Sequence, residues 1–582
     1  MKLRIFCILI LMMGMAYQTD AQRAKRGKKP VKKETRAKAK TKAAAKKPVK
    51  KTAAKQKATV RTAASDDTTT LKSTTIEIIQ SYKPDVKMAP KPEMQPSLPP
   101  ADKRVPQMNY TVPPQSLYYT YSSTPLRPLA LGRDTVGLGF QNYVKVGGGN
   151  LSTLMLDAGI GSLHGSNYES AIHVHHLSQS GKIENQKSSL TGLEAEGTLH
   201  TSNHAWHAAL NVLRNQYHNY GYDHNLYDYT ASQVRRSYTG MGLNVDMHNE
   251  DDEKPLSYHP SLGVLLYGDN YQASQRKVDM SIPVSYRVDT SLKLTLGISG
   301  SYATLNDSTT VSRGSHMFKM MPSVSFHKNG LSLDAGLYPT QGQSNFYLLP
   351  DVKVGYTIPK TQIGIYAGWQ GQLRQNTYDE VSGRNPFVAN SYNLKQTHTD
   401  EIFAGLQTNI GSHITLSGRV SYWMFENMPL FINDTGSDYK QFFIAYDKVN
   451  ALSLQAALRY HVANTFAVGV SATYYGYNAD AFRHAWHEPG VRINADLLVR
   501  PMPELVITGY ASIMNGIYAM EKGGISRKLS AIADIGGSAE YSFIPRLSAF
   551  IQVNNILNNR YERWYGYQAY GFNIIGGIRF KF

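Results

Sequence analysis

Histidines are the residues whose type and spacing could do chemistry in this chain. His173 and His175 lie two apart, and His176 follows. Residues i and i+2 of a strand share a face, so His173 and His175 could hold a metal edge-on. Histidines facing a lumen or rim without a ligand account for the same spacing. The tetrapeptide His-Ala-Trp-His occurs at 204–207 and again at 484–487. A short turn is expected at the first copy and an outer loop at the second. The two copies therefore cannot form one site, and interfacial placement of the Trp is their expected role. Glu250, Asp251, Asp252 and Glu253 could bind a divalent cation, although such a run is more often a solvated turn.

Other chemistry is missing. The single cysteine, Cys7, lies in the leader, so the mature chain offers no disulfide, thiolate zinc site or cysteine nucleophile. Gly147-Gly148-Gly149 lacks the Lys-Ser/Thr that completes a phosphate-binding loop. Neither a G-x-S-x-G elbow nor an H-E-x-x-H pair occurs. No catalytic residue, cofactor, cofactor-binding residue or metal ligand is assigned, and the chain is read as a non-enzyme.

The elements that carry these residues follow from charge and periodicity. Met1–Ala21 has the form of a secretory signal peptide. Lys2 and Arg4 precede an apolar stretch, 5–16, that is too short to span a bilayer. The net charge of +19 is concentrated just beyond it: residues 22–65 hold 18 Lys/Arg and one acid, Glu34. That Lys/Ala/Pro-rich tail cannot bury enough apolar surface to fold and is expected to be disordered. It is either a solvated spacer or a tether to peptidoglycan, anionic lipid or a periplasmic protein. Residues 66–133 contain eleven prolines and are expected to be extended, partly as polyproline II. The remainder is nearly neutral, and an exported chain of this kind is not expected to bind nucleic acid.

From residue 134 to the end, apolar and polar residues alternate. Leu292, Leu294, Leu296 and Ile298 interleave with Lys293, Thr295 and Gly297; Leu452, Leu454 and Leu458 interleave with Ser453, Gln455 and Arg459. Such strands have one apolar and one polar face. Runs of about 9–12 residues suit membrane crossing better than the shorter strands of a soluble sandwich. Polar breaks fall near Gly165, Asn203, Asp252, Asp289, Asn329-Gly330, Pro359, Gly411, Asn464, Pro503 and Pro545. Two strands and a longer loop fit between successive breaks. The expected fold is an all-β, antiparallel up-and-down transmembrane barrel of about 22 strands (range 20–24), with both termini periplasmic. The longest loop is expected at 376–398.

The last strand alternates Phe572, Ile574, Ile578, Phe580 and Phe582 with Asn573, Arg579 and Lys581. Upstream stand Val553-Asn554-Asn555-Ile556-Leu557-Asn558-Asn559-Arg560-Tyr561 and then Trp564-Tyr565-Gly566-Tyr567. These segments resemble the end of TonB-dependent receptors. Gly137–Tyr143 is similar to barrel openings in receptor-like proteins of Bacteroidetes type. The resemblance implies an outer-membrane barrel contacting outer-membrane lipid and lipopolysaccharide, and acting as an uptake or channel component. The sequence departs from the family in one respect: residues 66–133 lack the strand-and-helix pattern of a plug domain. A wide lumen must still be occluded, by inward loops, by the 66–133 segment or by a partner. The alternative is a non-transport envelope scaffold held by the barrel, with residues 22–65 binding peptidoglycan or a periplasmic partner. Loop composition names no small-molecule substrate.

Overall fold

A computed structural model describes residues 142–582, apart from Ser166, 250–253, 308–311 and 391–393. The leader, the basic tail, the Pro-rich segment and residues 137–141 of the expected barrel opening lie outside the described residues.

Strands cross in strict up-and-down order, each antiparallel to the next, from Tyr143–Gly149 to Asn573–Lys581. The first strand pairs with both its successor and the last strand, in register Tyr143↔Lys581 through Gly149↔Ile575, which closes the cylinder. Leu256–Tyr258 and Ser261–Asp269 form one crossing, interrupted at His259-Pro260, and the barrel has 22 crossings. Closure leaves no sheet edge, as hydrocarbon requires.

Outward positions are apolar and open. Leu294, Leu296 and Ile298 are 42%, 51% and 36% exposed, and Ile578, Phe580 and Phe582 repeat the pattern in the last strand. Burying such side chains against lipid contributes about 1.5–3 kcal/mol each. Inward positions carry charge in pairs. Arg419 meets Glu401 at 2.5 Å and lies over the Phe403 ring; Arg579 meets Glu540 at 3.5 Å. Among the described residues no helix is long and apolar enough to cross a membrane.

Nine of the ten polar breaks read from the sequence, from Gly165 to Pro545, fall at one end, where both described ends of the chain also lie; the tenth, at Asp252, is outside the described residues. The opposite end carries eleven connections. Several are long, at 219–234, 480–490, 516–531 and 555–572, and the longest is 375–396. The glycine triplet at 147–149 belongs to the closing seam. A Cβ on Gly147 would sit 2.8 Å from Phe550 Cζ, so a side chain there would force the inward Phe550 ring aside.

Candidate functional site: loops folded into the lumen

The loop end of the barrel is filled from within. Residues 375–396 turn inward as a short helix, Tyr378–Arg384, whose ends suit the helix dipole. Asp379 and Glu380 stand in the first turn and Arg384 in the last. The helix is fastened to several strands. Tyr378 N–H donates to Gln275 Oε1 at 2.5 Å, and Gln275 Nε2 donates to Asp379 Oδ1 at 2.6 Å. Ser301 Oγ donates to Gln375 Oε1 at 2.7 Å, Tyr238 donates to the Pro386 carbonyl at 2.7 Å, and Tyr267 meets Ser382 at 2.9 Å.

At its centre is a buried ionic triad. Arg236 Nη2 lies 2.7 Å from Asp269 Oδ2 and donates to the Tyr378 hydroxyl at 2.7 Å. That hydroxyl donates in turn to Asp269 Oδ2 at 2.5 Å. The Arg236 and Asp269 side chains are 1% and 0% exposed. Charges buried this deeply persist only when each meets its partner. The wall and the inward loop therefore hold each other.

Aromatic packing joins this loop to the others. Phe387 stacks on Tyr567 with centroids 3.5 Å apart, and Trp564 meets Phe431 and Phe442 edge-on. Tyr220 and Gln186 both donate to the Gln568 carbonyl at 2.8 Å, and Tyr567 donates to the Lys440 carbonyl at 2.5 Å. The 555–572 loop is shaped by its own asparagines. Asn555 and Asn558 adopt positive φ, 48° and 51°, a region Asn tolerates better than most residues. Asn555 donates to the carbonyls of Asn559 and Tyr570, and Asn558 accepts from Phe572 N–H. The Asn-rich motif before the closing strand thus builds an inward loop.

Cations are in excess where the loops meet. Glu488 accepts from Arg384 at 2.6 Å and from Arg492 at 3.3 Å, while Arg563 donates to the His487 carbonyl. Burial pulls the Arg384 guanidinium down and Arg563 down to about 10, with Glu488 opposing both shifts. His487 donates from Nδ1 to the Phe431 carbonyl at 2.8 Å. Burial, with Arg563 adding repulsion, pushes its imidazole down to about 3, so it is neutral. Between the loops and the wall lies a cavity of about 90 Å³ whose lining includes Tyr217, Tyr220, Phe387, Asp534, Arg563 and Trp564.

The residues singled out from the sequence are dispersed. His173 and His175 share the inner face, with ring centroids 5.6 Å apart. His173 already engages Asp157 at 3.2 Å and Glu194 at 3.7 Å. His176 bonds Thr191 at 2.8 Å. Residues 250–253 lie outside the described residues. The two His-Ala-Trp-His copies sit at opposite ends as expected, but their tryptophans differ. Trp206 is 47% exposed on the outer wall, which suits an interface, whereas Trp486 is 2% exposed. Trp486 packs with Met428, Leu430 and Ala485 in the loop cluster, so an interfacial role for the second copy is corrected. The sequence reading missed Arg236, Asp269 and Tyr378. For Arg236 and Asp269 the sequence signal is charge at lumen-facing strand positions; Tyr378, an uncharged residue of the loop helix, carries none.

Solved structures of similar architecture include receptors and an iron transporter. One is the Pseudomonas aeruginosa pyoverdine receptor FpvA, 12% identical with TM-score 0.58, over 76% of this chain and 78% of that one. The Neisseria meningitidis iron transporter FrpB is 10% identical with TM-score 0.60, over 76% and 81%. The P. aeruginosa ferric enterobactin receptor PfeA is 11% identical with TM-score 0.56, over 76% and 80%. At this identity the likeness is one of fold, a closed antiparallel barrel of 22 strands. No protein-family model matches the chain, and no curated protein matches it.

Proposed function

We propose that this chain is an outer-membrane uptake barrel whose own loops form its outer gate. The observation that carries the reading is the Arg236–Asp269–Tyr378 triad, which ties an inward loop to the lumen wall of a closed barrel. A purely structural anchor has no need of a buried ionic latch across its lumen. The cavity between the loops and the wall, lined by aromatic rings with Lys187, Arg563 and Asp534, suits a small solute with a flat or apolar surface and polar groups. Two of the proteins of similar fold are a pyoverdine receptor and a ferric enterobactin receptor, in keeping with solute uptake.

The loop end is read as facing outward and the termini as periplasmic. Arg214, Arg235 and Arg276 support this: they line a groove of about 720 Å³ on the loop-end half of the wall. Phosphates of lipopolysaccharide are the anions such a position would meet. Residues 66–133 are proposed to approach the lumen from the periplasmic mouth in place of a standard plug. Liposome swelling with small sugars tests the reading. Removing the 375–396 loop should admit solutes that the intact chain excludes; equal exclusion by both would overturn it.

The second reading, an envelope scaffold, rests on the basic tail. Binding to purified sacculi should then require residues 22–65 and weaken with salt. Sacculus binding that is unchanged without the tail would reject it.

A further inference from the structure

The inner wall carries another histidine cluster, far from the loops. The strand Arg235–Asn249 presents Tyr238 to the loop cluster. Alternation puts Asp246 and His248 on the same inner face, with Asp246 about 26 Å further along at ~3.3 Å per residue. This is the short-turn mouth. His259 is supplied by the break before Ser261–Asp269, and His207 by the preceding strand, His204–His218.

The geometry is that of a metal site held ready. His259 Nε2 lies 2.9 Å from Asp246 Oδ2, and His207 Nδ1 lies 2.9 Å from the other oxygen, Oδ1. The His248 and His259 rings stand edge-to-face with centroids 5.6 Å apart. One ligand atom from each of Asp246, His248 and His259 lies within 4.8 Å of the others. Ligands bound tetrahedrally at about 2.0–2.1 Å sit roughly 3.3 Å apart, so small side-chain movements would bring all three onto one ion. The His248 side chain makes no hydrogen bond with another described residue, which leaves its ring nitrogens available. Asp246 is 20% and His259 56% exposed, so an ion has access from the lumen.

We propose that Asp246, His248 and His259 bind a divalent transition metal of the zinc class at the barrel's short-turn mouth, leaving a fourth position for water or a solute donor. Two imidazoles with one carboxylate select borderline metals over calcium and magnesium, which prefer all-oxygen shells. His207 is a positioning residue: it holds the second carboxylate oxygen and so aims Oδ2. The site is independent of the transport reading, since it uses no loop residue and no particular orientation in the envelope.

The test is calorimetric titration of the purified full chain in detergent with Zn²⁺, alongside zinc-edge X-ray absorption of the loaded protein. The expected result is a site with two imidazoles and oxygen in its first shell. His248→Ala and His259→Ala should each weaken it at least tenfold, and His207→Ala about ten- to a hundredfold with the same ligand signature. His173→Ala, in the other histidine cluster, should leave it unchanged. Heat-modifiable gel migration confirms that each variant is a folded barrel. Failure to bind micromolar Zn²⁺, an all-oxygen shell in the unmutated chain, or undiminished binding in the His248→Ala/His259→Ala double variant would each overturn the proposal.

Discussion

Asp269→Asn is the substitution that probes the latch most sharply. It keeps the shape of the side chain and removes its charge, leaving Arg236 buried opposite a neutral amide. Arg236 Nη2 lies 2.7 Å from the carboxylate, with both side chains almost fully enclosed. Breaking a buried pair by neutralising one partner costs about 3–5 kcal/mol. The low end applies here, because the amide oxygen can still accept from the Tyr378 hydroxyl. At 1.4 kcal/mol per tenfold, a loss of about 3 kcal/mol raises the population of the released loop on the order of a hundredfold. Tyr378→Phe removes only the shared hydroxyl and leaves the ion pair, so about 1–2 kcal/mol and roughly tenfold are expected. The assay is single-channel recording in planar lipid bilayers, scored as open probability. The order should be Asp269→Asn above Tyr378→Phe above the unmutated chain. If Asp269→Asn migrates as a folded barrel and its open probability is unchanged, the latch argument is refuted.

Three further predictions concern the same cluster and the seam. Acidification should loosen the loops through His487. Its folded pKa is depressed, so a released loop takes up a proton between pH 6.5 and about 3. Closed-state stability is therefore complete above pH 6.5 and falls by about 1.4 kcal/mol per pH unit below it. Trp fluorescence should change as the pH is lowered from 7 to 4.5, and His487→Gln should flatten that response; an equally steep response in the variant would contradict the assignment. Phe387→Ala removes the ring stacked on Tyr567 at 3.5 Å. It should destabilise the closed loops by about 3–5 kcal/mol, read as faster protease cleavage within 375–396; cleavage at the unmutated rate would tell against the packing. Gly147→Val should collide with Phe550 and Ile575 at the seam, lowering the temperature at which the barrel loses heat-modifiable migration. No change in that temperature would argue against the close approach.

The barrel was legible because its physics is local. Alternation with period two marks each strand, and Gly, Pro and Asn mark the tight turns, so the described breaks from Gly165 to Pro545 all fall at one mouth. The 376–398 loop was visible for the same reason, as the longest interruption of the pattern. The inward fold of that loop was not legible. Arg236 and Tyr378 are 142 residues apart, and Gln186 and Gln568 are 382 apart, and no local pattern announces either meeting. Inward polar positions read alike in sequence whether they face water or an ionic partner. Lys293 and Arg236 both look like lumen-facing cations, yet of the two it is Arg236 that meets a buried carboxylate. The repeated His-Ala-Trp-His shows the same limit. One tetrapeptide begins a strand with its Trp outward, and the other is drawn into a loop core by Met428 and Leu430.

Alternate residues of each strand face hydrocarbon and an enclosed aqueous lumen. Cys7 is the single cysteine of the sequence, so a Cys7→Ser background can be spin-labelled one position at a time. The decisive measurement is electron paramagnetic resonance power saturation, with oxygen and a polar nickel chelate, on labels placed successively from Lys293 to Ser299 in lipid vesicles. A period of two is expected: 294, 296 and 298 open to oxygen, and 293, 295, 297 and 299 not. Uniform access of the nickel chelate to every position, or no alternation at all, would contradict it.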